Sequence, residues 1–279
     1  STVRDKEPKI ALLAADKGGV DGLLVLGSTG EFPAMPLQQK RDLIDLYIAT
    51  VDRRAMVLVG TGCMTDVETV SLSNYALDQG ADAVLVVVPY YFTVDDEAIY
   101  AYYAGIAEKL RGNMMLYCYP ARTANDVNLK VTKALVDQYP NIIGYKDSTG
   151  DIAHTRELIF GLREDHPDFD VYSGFDSDFA DNVMIGGAGG IAALSNVVPE
   201  LWSCWVQAFN AQDFAAFVTH GDKIVRLMQL YGVKKNFIPV LKAALNMMGW
   251  AVPEHCIAPT LPISPEEREE VKQILGILE

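Results

Sequence analysis

Lys146 ends an apolar run, Asn141-Ile142-Ile143-Gly144-Tyr145-Lys146, and is followed by Asp147-Ser148-Thr149-Gly150, a carboxylate and a turn. At the inner end of a buried strand an ammonium is costly, because burial disfavours the charged form. A neutral amine in such a place is a nucleophile that can form a Schiff base with a carbonyl. Taken alone, the same lysine could extend past the strand end into solvent, as lysines commonly do. Other apolar runs end in groups that would assist the amine. Gly27-Ser28-Thr29-Gly30-Glu31 sets two hydroxyls among small residues ahead of a helix, a cradle for a carboxylate made from backbone N–H groups and side-chain donors. Tyr117 stands in the run Met114 to Tyr119, and a phenol held against a reacting group can shuttle protons. With two-residue alternation along each strand, Tyr117 and Lys146 lie at matching heights on neighbouring strands and both point inward. Tyr90 and Tyr119 read more simply as packing residues.

The elements that must position these groups follow a regular alternation. Short apolar runs occur at Gly22 to Leu26, Met56 to Gly60, Ala83 to Val88, Met114 to Tyr119, Ile142 to Lys146, Asp170 to Ser173 and Gly190 to Leu194. Several are almost wholly apolar, the pattern of parallel strands covered on both faces. Most starts are about 30 residues apart, the size of a βα unit. Amphipathic stretches such as Leu37 to Val51 and Val67 to Gln79 lie between them, the second opened by the capping sequence Thr65-Asp66-Val67-Glu68. This predicts an α/β fold, a TIM (β/α)8 barrel with extra C-terminal helices. The chain opens with a helical pattern, Ser1 to Lys17, ahead of any strand, so the first barrel strand is expected to be missing from it. Residues 1–198 are assigned to the barrel, and 199–279 to its last helix and a helical C-terminal subdomain. One or two helices are predicted within Pro199 to Gly232 and another over Asn236 to Gly249. Ser264-Pro265-Glu266-Glu267 marks the start of a final one.

The composition narrows the function classes. Half of the 279 residues are hydrophobic, enough for a large core, and the formal net charge is −14. That balance argues against nucleic-acid or anionic-membrane partners, which call for basic surfaces. Four cysteines without a Cys-x-x-Cys pair fit a reducing, cytoplasmic compartment. The four histidines, His154, His166, His220 and His255, lack metal-ligand spacing, and no metal site is expected.

Four motifs, Gly27-Ser28-Thr29-Gly30-Glu31, Pro89-Tyr90-Tyr91, Tyr117-Cys118-Tyr119-Pro120 and Gly144-Tyr145-Lys146-Asp147, occur in the order and spacing of one family. The chain resembles the pyruvate-dependent class I aldolases, which include dihydrodipicolinate synthase, N-acetylneuraminate lyase and 2-keto-3-deoxygluconate aldolase. The likeness runs from about Gly22 to the C-terminus and includes Gly189-Gly190-Ile191 and Ile238-Pro239-Val240-Leu241-Lys242-Ala243-Ala244-Leu245. The resemblance implies Lys146 as the Schiff-base lysine and Tyr117 as the proton-passing tyrosine. It implies Ser28 as a hydroxyl linking Tyr117 to a second tyrosine, Tyr91, which reaches in from a neighbouring subunit. It implies Thr29 and Ile191 as contacts to the keto acid. Cys118, where the family usually has asparagine, is expected to face away from the site.

The implied substrates are a 2-oxo acid and an aldehyde, the implied cofactor requirement is none, and the implied assembly is a homotetramer of paired dimers. Arg122 resembles the arginine that binds aspartate semialdehyde in the synthases. Tyr119-Pro120-Ala121, Pro89-Tyr90-Tyr91-Phe92 and Ser173-Gly174-Phe175-Asp176 are closer to the sugar-acid aldolases, with Asp176 placed at the substrate. Alanines at 192 and 193 speak against sialic acid. A 2-keto-3-deoxy-sugar-acid aldolase stands first, a dihydrodipicolinate synthase second. A non-catalytic 2-oxo-acid-binding regulator stands third, because a sensor would not need the proton relay.

Overall fold

The computed structural model of the protein describes residues 18–278. Seven strands, β1 (Gly22–Val25), β2 (Met56–Gly60), β3 (Ala83–Val87), β4 (Met114–Cys118), β5 (Ile142–Asp147), β6 (Asp170–Ser173) and β7 (Gly189–Gly190), form one parallel sheet in sequence order. Helices connect successive strands: α1 (Leu37–Val51), α2 (Asp66–Gln79), α3 (Asp96–Ala107), the single turn α4 (Pro120–Thr123), α5 (Leu129–Gln138), α6 (Ile152–Leu162) and α7 (Phe179–Met184). Every residue of β3 and β4 is buried, as their unbroken apolar sequences require in a sheet covered on both sides. The sequence-predicted helix over Ser1 to Lys17 lies outside the described residues.

The sheet is strongly curled. Ser28, just past β1, lies 3.3 Å from the Tyr117 hydroxyl in β4. Three strand spacings in a flat sheet would separate these strands by roughly 14 Å. Side chains and backbone from the ends of four strands, among them Leu26, Gly60, Val87 and Tyr117, line one small cavity. Gly60 is needed there, because a Cβ would come 2.2 Å from the Leu26 carbonyl oxygen.

One strand is shorter than its sequence suggests. The apolar run Gly190 to Leu194 leaves the sheet after two residues of β7, and Leu194 begins a 3-10 turn. The Leu194 N–H donates to Asp176 Oδ1 at 3.1 Å instead of to a neighbouring strand. Beyond it come α8 (Pro199–Asn210), α9 (Phe214–Leu227), α10 (Ile238–Met247) and α11 (Pro265–Leu275). Ser264 opens α11 with a full capping box to Glu267. These helices share a second apolar cluster with α7, built on Phe179, Trp202, Trp205 and Phe217, while the first cluster lies between the sheet and α1, α2, α3, α5 and α6. Among the described residues no helix is long and apolar enough to cross a membrane.

Candidate active site

Tyr117 and Lys146 are register partners across the β4–β5 ladder, so both project to the same face of the sheet. The Lys146 Nζ lies 4.6 Å from the centre of the Tyr117 ring. Lys146 is 7% exposed. Burial lowers its pKa to about 8, against the weaker opposing pull of the Asp176 charge. A lysine with so lowered a pKa is partly neutral at moderately alkaline pH, the state in which an amine can act as a nucleophile.

Tyr117 is buried too. Burial pushes its pKa up, while hydrogen bonds to Ser28 and Ser148 partly offset this. The Ser28 Oγ is its partner at 3.3 Å. Ser28 and Thr29 open a 3-10 turn, Ser28–Gly30, whose first backbone N–H groups have no acceptor within the turn. The turn thus brings N–H groups and the Ser28 hydroxyl to the phenol. Gly174, just past β6, packs closely against the segment after β5. A Cβ on it would fall 1.8 Å from Ser148 Oγ.

Ile191 follows β7 and gives its N–H to the Ser173 carbonyl at 2.9 Å. Arg122 is exposed on α4, its guanidinium 5.2 Å from the centre of the Tyr119 ring and 5.5 Å from that of Phe237. Its charge reaches Tyr117, where it favours the phenolate. Tyr91 is not brought into the cluster within one chain: it is 81% exposed, at φ 78°, edge-on to Phe92. Asp176 lies deeper than a substrate contact would. It is fully buried, with Oδ1 accepting from Leu194 N–H and Trp202 Nε1 and Oδ2 accepting from the Tyr231 hydroxyl at 2.6 Å. Burial raises its pKa to about 6 against those donors, and its link to Lys146 is electrostatic.

Two groupings were not anticipated. Behind β5, on the face opposite Lys146, Asp147 accepts from Thr149 Oγ1, Thr155 Oγ1 and the His154 ring at Nδ1, the last at 2.9 Å. His154 Nε2 lies 3.3 Å from Asp126, close enough for charge attraction although off the hydrogen-bond line. Burial alone would lower the His154 pKa. The two aspartates outweigh it and lift the value to about 10. Cys118 faces away from the site, as expected, its Sγ 3.2 Å from Asp126. The second grouping is an ion pair between Glu31 and Lys242. Both residues sat in motifs visible in the sequence, but a pairing across 211 positions has no local signature.

The chain matches the model of the dihydrodipicolinate synthetase family over residues 9–278. It is 33% identical over 271 residues to the putative 2-dehydro-3-deoxy-D-gluconate aldolase YagE of Escherichia coli K12, covering 96% of this chain and 90% of that protein. It is 32% identical over 263 residues to the probable 2-dehydro-3-deoxy-D-pentonate aldolase YjhH of the same organism, covering 93% and 87%. Among solved structures it resembles that of E. coli YagE in complex with pyruvate, with a TM-score of 0.94 at 32% identity, covering 98% of this chain and 92% of the other.

Proposed function

The chain belongs to the dihydrodipicolinate synthetase family, and from that premise we propose that it is a pyruvate-dependent class I lyase acting as a 2-keto-3-deoxy-sugar-acid aldolase. One observation carries the residue assignment: a buried amine with a lowered pKa stands against a phenol that is bonded to the hydroxyl of the adjacent turn. Two relatives named as sugar-acid aldolases favour the sugar-acid reading, while a 34% identical relative named 4-hydroxy-tetrahydrodipicolinate synthase keeps the synthase as the second reading.

In this mechanism the neutral Lys146 amine attacks C2 of the 2-oxo acid, and loss of water leaves an iminium. The iminium accepts the electrons of the C3–C4 bond as it breaks, while Tyr117 takes the C4 hydroxyl proton and hands its own through Ser28 to solvent, and an aldehyde departs. The enamine is then protonated at C3, and hydrolysis releases pyruvate and restores the amine. Condensation runs the same steps backward. A positioned proton transfer of this kind contributes about a hundredfold or more. The chain's own amine and phenol supply the chemistry, so no diffusible cofactor is called for.

Thr29, with the adjacent backbone N–H groups of its turn, holds the substrate carboxylate, and Ser28 links Tyr117 to a second tyrosine. Ile191, whose N–H is engaged by the Ser173 carbonyl, is a backbone contact to the bound keto acid. Arg122 faces the incoming aldehyde at the mouth, and Asp176 acts through its charge on Lys146. The exposed Tyr91 and Phe92 suit an interface in which a neighbouring subunit's Tyr91 reaches Ser28, in a tetramer of paired dimers. We read the curled sheet as seven staves of a (β/α)8 barrel spanning 1–198, with 199–279 as its last helix and a helical subdomain. Four free cysteines suit a cytoplasmic setting.

The test is reductive trapping. Incubation with pyruvate and borohydride, followed by peptide mapping, should place the added mass on the peptide containing Lys146. An unmodified peptide would favour a non-catalytic binder and end the Schiff-base reading.

A further inference from the structure

The turn that carries Ser28 and Thr29 is bounded by two non-glycine residues in the left-handed region, Leu26 at φ 59° and Glu31 at φ 58°. Such residues persist only where the surroundings hold them. Glu31 is held from the far end of the chain. Its Oε2 accepts from Lys242 Nζ in α10 at 2.6 Å, and its Oε1 accepts from the Ile257 N–H at 2.8 Å. Lys242 Nζ also donates to the His255 carbonyl at 2.7 Å. Glu31 is 9% exposed, so solvent and salt screen the pair little.

The segment bearing His255 and Ile257 is itself fastened. Asn246 in α10 bonds both the N–H and the carbonyl of Val252, and Arg268 in α11 bonds Glu254. A continuous set of contacts therefore runs from α10 and α11 through Glu31 into the turn.

We propose that Glu31 and Lys242 are positioning residues that preorganise the carboxylate cradle, making the C-terminal helices part of the 2-oxo-acid site. The proposal rests on the reading of Thr29 and the N–H groups of its turn as the carboxylate binder. A cradle that presents N–H groups and hydroxyls gains affinity when it is rigid before the ligand arrives. Without the ion pair the turn is released from one side, and its donors scatter from their common focus. Lys146 sits on β5, outside the turn, so its reaction with saturating pyruvate is kept and the loss falls on capture of the keto acid.

The experiment compares wild type, Lys242→Met, Glu31→Gln and the double variant. It reads borohydride-trapped mass against pyruvate concentration, with thermal melting alongside. Each single variant should raise the half-saturating pyruvate concentration about tenfold, as expected for a displaced binding geometry. Trapping at saturating pyruvate should stay within about twofold of wild type. The double variant should be no worse than either single, since both break one interaction. Unchanged half-saturation with a lowered melting temperature would make the pair merely structural and overturn the proposal, as would additive losses in the double variant. If Lys242→Met does not fold, Glu31→Gln keeps an acceptor for the Ile257 N–H and decides by the same criterion. Wild-type protein that takes no label at any pyruvate concentration would overturn the Schiff-base reading itself, a result distinct from normal labelling with unshifted variants.

Discussion

Proton concentration is the most direct handle on Lys146. A lysine with its ordinary pKa of 10.5 would be neutral in only about 0.03% of molecules at pH 7, whereas a value of about 8 makes that roughly 10%, about 300 times more nucleophile. The shift corresponds to roughly 3 kcal/mol of penalty on the buried ammonium. The sign follows directly. Below about pH 8 the ammonium dominates, and the rate of iminium formation at low pyruvate should rise about tenfold per pH unit; above it the rate should level off. Initial rates of cyanoborohydride trapping between about pH 6 and pH 10.5 would measure this. Asp176→Asn adds a second arm. The Asp176 charge raises the Lys146 pKa, so its removal should move the midpoint to lower pH. A rate still climbing tenfold per unit between about pH 9 and pH 10, or an Asp176→Asn midpoint moved upward, would refute the argument that burial sets the amine's reactivity.

Tyr117→Phe should keep pyruvate trapping on Lys146 while lowering aldol cleavage about a hundredfold or more, as steady-state kinetics on a keto-deoxy acid would show. Arg122→Ala should cost a synthase most of its turnover of aspartate semialdehyde but leave a neutral aldehyde nearly unaffected, and a panel of aldehydes with pyruvate separates the two. His154→Ala leaves Asp147 buried without its cation and should cost roughly 3 kcal/mol in thermal or denaturant unfolding. Because the folded His154 pKa is raised to about 10, its stabilisation is complete below the ordinary value near 6.5 and should fade as pH rises through about 10.

The alternating plan of strands and helices was legible because burial on both faces writes continuous apolar runs, and Met56–Gly60 and Leu37–Val51 match their sequence-predicted spans. The neighbouring placement of Tyr117 and Lys146 was legible too, since a two-residue period and strand ends fix both facing and height. The end of the last strand was not legible. An apolar run records burial without saying whether a sheet or a buried carboxylate such as Asp176 takes its N–H groups.

The sequence by itself determined which groups could do chemistry: an amine at a strand end, a phenol beside it, hydroxyls in a small-residue turn. Only the tertiary structure decided their state. Curling brings Ser28 within 3.3 Å of Tyr117. Burial strips the Lys146 ammonium of solvation, and Lys242 meets Glu31 from 211 residues away. Residue type and local period are carried by neighbours along the chain, whereas desolvation and long-range charge pairing depend on neighbours in space.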